Sequence, residues 1–361
     1  MPNFPNLFFA YSQIYQLSYA LPLYQAVGGT FLVKNMRKWI QFKKYMRGLG
    51  RADSVRNFLN TPAALKKNPY EDHSLRGIVI TPSVERFCPE NAKMIYIYTG
   101  HGSGDKPYLG ERIYEKMASF DFHFLAGPKN LQKLKDKQVD IPEDRLIKIG
   151  NMRFDAYVNG QIKRARECTR LGIRNPGRKN ILYAPTWKWG QGSLTQHAHQ
   201  FCEEISPYYN LIIRPHGHDR MKIPRLRRWI AKKGFNNVYF SNPSHLAKDD
   251  TMRDFAASDL LISDRTSSII YEYLITGKPI IVIGNDFEAA HHMPQHLLID
   301  GVAQAWDPSN AIVSLIENSY RIHDRKRSEY ARLLTSCFYY NDGKSTQRAA
   351  AFIEHTLKEF A

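Results

Sequence analysis

Short apolar runs alternate with longer stretches of helical periodicity along most of this 361-residue chain. The runs are four or five residues long, as expected for strands buried on both faces of a parallel sheet. Parallel strands need crossover connections, and the helical stretches supply them. The alternation therefore predicts an α/β fold built on parallel sheets. The predicted strands are Asn6–Ala10, Thr30–Val33, Gly77–Ile80, Met94–Tyr98, Phe122–Ala126 and Leu146–Ile149, then Asn180–Tyr183, Asn210–Ile213, Asn237–Phe240, Asp259–Ile262 and Pro279–Ile283.

A basic stretch containing Gly and Pro, IRNPGRK at 173–179, separates the two series of strands. The length of the chain and its apolar content of 43% permit two domains of ordinary size. We predict two Rossmann-like domains, residues 1–165 and 175–340, with a boundary near 165–178. The amphipathic segment 341–361 is predicted to form a last helix that packs back toward the first domain.

Cysteine spacing and hydropathy narrow the cellular setting. The four cysteines lie far apart without a CxxC pair, which favours reduced thiols in a cytosol over a zinc site or a disulfide framework. The first residues lack the pattern of a signal peptide, and no apolar run approaches the ~18 residues that span a bilayer. We expect a cytoplasmic protein that is soluble or lies on a membrane without crossing it.

The formal net charge of +17 is concentrated locally. Residues 1–52, 160–179 and 220–235 each hold seven Lys or Arg, against a single acid in the three together. Two of these stretches contain a basic helical segment with a tryptophan, at 34–47 and 225–233, which could bind an anionic membrane surface. Alternatively, their apolar sides face the domain cores. A nucleic-acid partner is disfavoured because no RNP-like motif accompanies the charge.

Polar residues follow the predicted strands of the second half, where open parallel sheets bind their ligands. In the clearest case, 259–283, a strand leads into a predicted helix that begins near 266–268 and ends at Gly277. Free amides and hydroxyls at a helix start favour phosphate, although the same residues could merely cap the helix. The candidate donor-binding residues here are Asp264, Thr266, Ser267, Ser268 and Glu272, the last within reach of a ribose hydroxyl.

Two more strand ends carry polar residues. In RPHG at 214–217, Arg214 would supply a fixed charge to a diphosphate and His216 a hydrogen-bond donor or acid. In YAPTWKW at 183–189, Thr186 and Lys188 follow a strand. The flanking tryptophans could wall a base or sugar, or pack in the core.

In the first half, His101 lies between glycines directly after a predicted strand, in YIYTGHGSGDK at 96–106. The intrinsic pKa of histidine suits a general base near neutrality, and we expect the glycines to let the backbone approach a ligand closely. The alternative is a structural histidine. The loop does not match the GxGxxG dinucleotide fingerprint, because no helix opens directly on its glycines.

Several of these motifs together resemble the CDP-glycerol glycerophosphotransferases of teichoic-acid and related capsule synthesis. They are YAPTW at 183–187, RPHG at 214–217, DRTSSIIYEYLITGKPII at 264–281 and NDGKSTQRAA at 341–350. FFAYSQIYQLSYALPLY at 8–24 resembles the opening of the shorter, priming members. The resemblance implies a GT-B fold with the donor in the C-terminal domain. It also implies attack of an acceptor hydroxyl on the phosphorus that bears glycerol, with release of CMP.

The resemblance also implies residue roles. His101 matches the base of the family's HG loop, His216 the RPH histidine near the diphosphate, and Glu272 the acidic residue of the phosphate-binding helix. GNMRFD at 150–155 retains only the Gly, Arg and Asp of the family's G-x-P-R-N-D. Because the base and the donor site would lie on different domains, we expect the cleft between them to close for reaction.

The implied partners are a CDP-glycerol or CDP-ribitol donor, a lipid-linked saccharide acceptor and the inner face of a bacterial membrane. No cofactor and no resident metal are expected, while a Mg²⁺ ion on the substrate diphosphate remains open. Three rival functions are a GT-B glycosyltransferase that uses a nucleotide sugar, a catalytically inactive scaffold and a nucleic-acid-binding protein.

Overall fold

A computed structural model describes residues 6–33, 36–47, 76–84, 93–105, 113–187, 192–241, 250–284 and 293–360. This part of the chain forms two six-stranded sheets in which every strand pair is parallel. The first sheet has the strand order β2-β1-β3-β4-β5-β6, and the second has the order β12-β11-β10-β7-β8-β9. The alternation of apolar runs and helices therefore produced two separate parallel sheets.

The first sheet contains β1 (Leu7–Ala10), β2 (Thr30–Leu32), β3 (Gly77–Thr81), β4 (Met94–Tyr98), β5 (Phe122–Leu125) and β6 (Leu146–Lys148). The second contains β7 (Asn180–Tyr183), β8 (Asn210–Ile213), β9 (Val238–Phe240), β10 (Leu260–Asp264), β11 (Ile280–Ile283) and β12 (Gln304–Trp306). All eleven predicted strands are present, with ends that differ by at most two residues. The sequence did not reveal β12, because this three-residue edge strand begins with a glutamine and offers almost no apolar run.

The helices are α1 (Leu17–Val27), α2 (Met36–Arg47), α3 (Ile113–Ala118), α4 (Pro128–Asp136), α5 (Asp155–Val158), α6 (Arg164–Leu171), α7 (Leu194–Ile205), α8 (Ile223–Lys233), α9 (Thr251–Ala257), α10 (Ile269–Glu272), α11 (Ile312–Arg325), α12 (Arg327–Cys337) and α13 (Ser345–Phe360). None of the helices described is long and apolar enough to cross a membrane. The predicted helix near 266–277 begins later, at Ile269, and passes into a 3₁₀ turn before Gly277 ends it in the left-handed conformation.

Both sheets are covered on both faces, which explains why their strands are continuously apolar. In β3, Ile78 and Ile80 pack into one core of the first sheet while Val79 packs into the core on the opposite face. In β7, Leu182 and Ile181 divide between two cores in the same way. Successive side chains of a strand point to opposite faces, so only an unbroken apolar run can fill both layers.

The last helix returns to the first sheet. Phe352 of α13 packs edge-on against Phe122 and Phe124 of β5, with ring centroids 4.9 and 5.6 Å apart. Its start is capped by Asp155, whose carboxylate accepts hydrogen bonds from the backbone amides of Ser345 and Thr346. The acidic residue of GNMRFD therefore anchors the C-terminal helix.

The two basic helical segments differ in what they bury. In α8, Leu226 and Ile230 are buried against the core of the second sheet, so their apolar stripe is not available to a membrane. In α2, Trp39 is buried in the first core, whereas Met36 and Ile40 are 53% and 58% exposed. Only α2 therefore keeps exposed large apolar side chains among its cations.

Candidate functional site

A cavity of about 1000 Å³ lies between the two sheets, at the carboxyl ends of strands from both. One wall is formed by the His101 loop and by the 3₁₀ turn that precedes α1. The other is formed by the loops after β7, β8 and β10. Eight of the ten predicted site residues line it: His101, Thr186, Arg214, His216, Thr266, Ser267, Ser268 and Glu272. Lys188 lies outside the described residues, as does Trp189. Asp264 is not part of the lining.

His101 follows β4 and is open to the cavity. Its Nδ1 lies 2.7 Å from the carbonyl oxygen of Pro82. A carbonyl only accepts, so Nδ1 carries the proton and Nε2 keeps its lone pair in the neutral ring. Desolvation by the surrounding walls lowers the pKa of His101 below its ordinary value, the bond to Pro82 opposes this, and the charge of Lys133 adds to the lowering. The imidazole is therefore a neutral base at pH 7.

The glycines beside His101 bring the two walls together. Gly102 has φ +86°, and a Cβ there would lie 2.8 Å from Oγ of Ser268; one on Gly104 would lie 2.9 Å from the Cα of the same serine. We expected these glycines to make room for a ligand. Both glycines line the cavity, and they also make room for Ser268 at the start of α10, so the two walls are in contact here; the close approach of a ligand stays a prediction.

His216 caps the short 3₁₀ turn that follows β8. Its Nδ1 accepts a hydrogen bond from the backbone amide of His218 at 3.2 Å, which places the proton of the neutral ring on Nε2. The ring of Trp187 stacks on it with centroids 6.1 Å apart. His216 can therefore donate from Nε2, the opposite role to that of His101.

Arg214 lies in the same loop and is fixed by buried partners. Its Nη1 donates to Oγ of Ser241 at 2.8 Å and pairs with the carboxylate of Asp254. Asp254 is fully buried and also pairs with Arg170 at 2.6 Å. Arg170 is paired in turn with Glu167 at 2.6 Å, so a chain of ion pairs behind the cavity wall fixes the position of Arg214.

Asp264 corrects one prediction. It was predicted to bind the donor, but as the last residue of β10 it is fully buried and turns toward the neighbouring loop. Its Oδ2 accepts the backbone amides of Thr186 at 2.7 Å and Ser193 at 3.2 Å. Because a carboxylate is a strong acceptor for two converging amides, Asp264 shapes the loop that carries Thr186.

Glu272 is held by residues of the first half of the chain. One carboxylate oxygen accepts from the hydroxyl of Tyr19 at 2.9 Å, and the other pairs with Arg153 at 2.7 Å. Arg153 also lies 3.4 Å from Asp250 and packs over the ring of Tyr19. The predicted contact of Glu272 with a ribose hydroxyl stays a prediction, since in this structure the carboxylate joins the two walls.

Sequence reasoning missed Tyr15, which lies in a 3₁₀ turn before α1 and lines the cavity. Its ring centroid is 6.1 Å from that of His101 and 6.2 Å from that of His216, edge-on to both. Burial raises the pKa of Tyr15, so the phenol stays protonated. The only sequence signal was its place in the opening segment 8–24. Arg153 was likewise visible only as a retained arginine in GNMRFD.

The described residues contain no group of three or more His, Cys, Asp or Glu side chains arranged to hold a metal ion. Cations line the cavity instead. Among its lining residues the basic side chains are Arg37, Lys38, Lys133, Arg153, Arg214 and Arg220, against the single carboxylate of Glu272. Such a cavity attracts polyanionic ligands.

Comparison with known proteins gives a family and a fold. Residues 94–355 match the family described as CDP-glycerol:poly(glycerophosphate) glycerophosphotransferase. Two curated relatives from Staphylococcus aureus (strain NCTC 8325 / PS 47), the teichoic acid ribitol-phosphate polymerases TarK and TarL, are each 28% identical over 66% of this chain. The matches cover 45% and 41% of those relatives, so the chain spans less than half of their length.

Among solved structures, the wall teichoic acid polymerase TagF aligns with a TM-score of 0.67 at 15% identity, over 99% of this chain and 90% of that one. UDP-GlcNAc 2-epimerase from Neisseria meningitidis aligns with a TM-score of 0.55 at 14% identity, over 98% and 99%. At these identities the likeness concerns the fold. The predicted GT-B arrangement of two parallel α/β sheets around a cleft is confirmed.

Proposed function

The chain belongs to the CDP-glycerol:poly(glycerophosphate) glycerophosphotransferase family, and from that membership we propose that it transfers a polyol phosphate from a CDP-linked donor to an acceptor hydroxyl, with release of CMP. The product would be part of a teichoic-acid or capsule polymer. The observation that carries the proposal is the convergence of His101 and His216, from opposite walls, on Tyr15 in a cationic cavity.

The chemistry divides between the two histidines. Nε2 of His101 takes the proton of the acceptor hydroxyl, and the acceptor oxygen forms a new bond to the phosphorus that bears the polyol. The bond from that phosphorus to the bridging oxygen breaks, and CMP leaves with the bridging oxygen and its electron pair. His216 donates from Nε2 to the departing phosphate. Such transfers depend mainly on positioning and charge stabilisation, which side chains fixed before substrate binds provide.

The donor would lie against the second wall. Arg214 is held in place by Asp254 and Ser241 and would face the diphosphate as a fixed charge. The backbone and hydroxyls of 266–268 would bind phosphoryl oxygens. Because α10 has only four α-helical residues, its dipole contributes less than that of a long helix, so Arg214 and His216 carry more of the binding.

The deciding experiment is a screen for nucleotide release from CDP-glycerol, CDP-ribitol and several UDP-sugars, each with saccharide acceptors. The proposal expects CMP from a CDP-polyol. Release of UDP from UDP-sugars alone would identify a glycosyltransferase, and donor binding without any turnover would identify an inactive scaffold. A salt-dependent gel shift of a nucleic acid at sub-micromolar protein would instead support a nucleic-acid-binding function.

The acceptor is proposed to be lipid-linked and reached at the inner face of a bacterial membrane. Support comes from α2, where Met36 and Ile40 are exposed next to Arg37 and Lys38 of the cavity lining. Across the cavity, Met221 is 81% exposed. Basic and exposed apolar side chains around one opening favour an anionic lipid surface.

Vesicle flotation tests the membrane proposal. The double variant Met36→Ser/Ile40→Ser should lose binding to vesicles that contain anionic lipid. Tyr208→Ser, at a 65% exposed tyrosine that does not line the cavity, is the matched control and should bind as the wild type does. Equal binding of the double variant and the wild type would remove α2 from the membrane contact.

No resident metal is proposed for the reaction, because Arg214 is held in place by Asp254 and would supply positive charge to the diphosphate. A Mg²⁺ ion carried by the substrate is the alternative. Turnover measured with and without EDTA separates the two: activity that survives chelation supports the cationic cavity, and activity that needs added Mg²⁺ overturns this part of the proposal.

A further inference from the structure

Helix α4 places two buried lysines one turn apart beneath the loop that carries His101. Lys129 is fully buried and Lys133 is 3% exposed, and Lys133 also lines the cavity. Burying an ammonium group is costly unless specific partners replace its water, so two such residues on one helix face indicate a constraint beyond packing. The transfer described above uses neither of them.

Both lysines are bound to the loop itself. Nζ of Lys133 donates to the carbonyl oxygen of Gly104 at 2.7 Å. Nζ of Lys129 pairs with Asp105 at 2.6 Å and donates to the carbonyl oxygen of Leu297 at 2.7 Å. The loop after His101 is therefore held from below at two successive residues, and Lys129 connects it to the second half of the chain.

A tyrosine completes the connection on the donor side. The hydroxyl of Tyr271, on α10, donates to the carboxylate of Asp105, and Nζ of Lys129 lies 3.7 Å from the centre of the Tyr271 ring. The next residue, Glu272, is the one held by Arg153 and Tyr19. The His101 loop and the donor-side helix are thus fixed to one another through buried polar contacts.

We propose that Lys133 is a positioning residue for the proposed transfer: it fixes the loop of His101 through the Gly104 carbonyl and keeps the imidazole in its neutral, base-competent form. A cation behind a general base disfavours protonation of that base by direct repulsion. The kinetic part of this inference rests on the proposed function. The electrostatic part does not.

The electrostatics agree with the geometry. The ammonium of Lys133 helps to lower the pKa of His101, after the larger effect of desolvation. Desolvation also lowers the pKa of Lys133 to about 8; Asp105 opposes that shift and Lys129 adds to it. Lys133 is therefore still charged over the pH range below 6.5 in which His101 titrates. The other titratable or charged groups that face this loop among the described residues are Lys129, Asp105, Tyr271, Tyr98, Tyr15, Tyr19, Arg153, Glu272 and, beyond Tyr15, His216.

The first test is an NMR titration of the His101 imidazole in the wild type and in Lys133→Met, which replaces the ammonium with an uncharged side chain of similar length. The pKa of His101 should rise by a few tenths to about one unit, because the repelling charge is gone. Lys133→Arg keeps the charge and should leave the titration near that of the wild type. Lys135→Met, at an exposed lysine of the same helix, is the matched control and should change nothing. An unchanged His101 titration in Lys133→Met overturns the inference.

The second test is kinetic. In Lys133→Met, kcat should fall about 10- to 100-fold with the KM for the CDP-donor unchanged, because a loop displaced by a fraction of an ångström misplaces the base and leaves the donor wall intact. The acid limb of the pH profile should move to higher pH, and Lys133→Arg should recover part of the rate. An unaltered kcat, or a higher donor KM at unchanged kcat, contradicts a positioning role.

The two proposals fail separately. A wild type that releases no CMP from any CDP-polyol refutes the proposed function, while the His101 titration still decides the role of Lys133. If the wild type releases CMP and Lys133→Met does so at the same rate, the inference is refuted and the proposed function is not. If Lys133→Met does not fold, the same measurements are made on Lys133→Gln, which keeps a polar group toward the Gly104 carbonyl without the charge.

Discussion

The two walls of the cleft are built in different ways. In the wall of the second sheet, polar residues follow their strands directly, and Arg214 is paired inside the same wall with Asp254. In the wall of the first sheet, His101 depends on Pro82, on Lys133 of a separate helix and on contacts with Ser268 of the other wall. The strand-end residue Arg214 is thus fixed within the second wall, whereas the His101 loop is assembled by contacts with other segments, and Glu272 and Tyr271 connect the two walls.

This difference predicts separable kinetic effects. Changes in the second wall should act mainly on donor binding, and changes in the first wall mainly on turnover. Changes at the contact between Gly102 and Ser268 should affect both. The four experiments that follow test this division, from the largest expected effect to the smallest.

His101→Ala is the strongest test of the first wall. Loss of a positioned general base should lower kcat about 10²- to 10⁴-fold, while the calorimetric Kd for the CDP-donor stays as in the wild type. His355→Ala, at an exposed histidine of α13, is the control. If donor binding weakens together with kcat, the two walls are not separate in function.

Gly102→Ala tests the contact between the walls. The new Cβ would lie 2.8 Å from Oγ of Ser268 and adopt φ +86°, which costs about 1–2 kcal/mol for a residue with a side chain. We expect kcat to fall about 10- to 100-fold and the donor KM to rise, because both walls must shift. Gly172→Ala has a similar φ of +73° with nothing within 4 Å, so it carries the strain without the collision. Equal rates for the two variants would show that the collision has no effect on turnover.

Asp264→Ala tests the second wall alone. Removing the carboxylate leaves the amides of Thr186 and Ser193 without this acceptor. A buried polar group without a hydrogen-bond partner lowers the free energy of unfolding by about 1–3 kcal/mol. Urea unfolding should show the loss of stability, and the donor KM should rise more than kcat falls. Asp264→Asn retains a carbonyl oxygen and should recover part of both. A fall in kcat at constant KM would contradict the division between the walls.

The smallest effect concerns pH. Burial and Lys133 lower the pKa of His101 below 6.5, and the base is active only when neutral. Below that pKa the ring is protonated and inactive, so kcat/KM should rise with pH, and the midpoint of this acid limb should lie below 6.5. A profile whose acid limb lies at or above 6.5 would show that the first wall does not depress this pKa.

Much of the second wall was predictable because its cavity-lining residues lie close to its strand ends. Arg214, His216 and Thr186 each come within a few residues of a recognisable apolar run, so a local pattern found them. Asp264 was found as well but given the wrong role. Its sequence position resembles that of a ligand contact, and only the path of the neighbouring loop shows that its carboxylate is used by Thr186 and Ser193.

The first wall was predictable only at His101. Tyr15, Arg153 and Lys133 are separated from it by tens of residues along the chain. Tyr15 and Arg153 lie in segments that resemble the family without marking these two residues, and Lys133 lies in no motif. Lys133 in particular has the sequence context of an ordinary surface lysine on an amphipathic helix. Its burial follows from the way α4 packs under the His101 loop, which is a contact between distant segments.

The sequence by itself determined the two parallel sheets and the strand ends whose residues line the cavity, because period, length and residue type act within a few neighbouring residues. Tertiary structure alone decided that His101 and His216 share Tyr15, that Gly102 makes room for Ser268 and that buried lysines hold the loop of His101. Contacts between segments far apart in the chain depend on how the two sheets are placed, which no local pattern encodes.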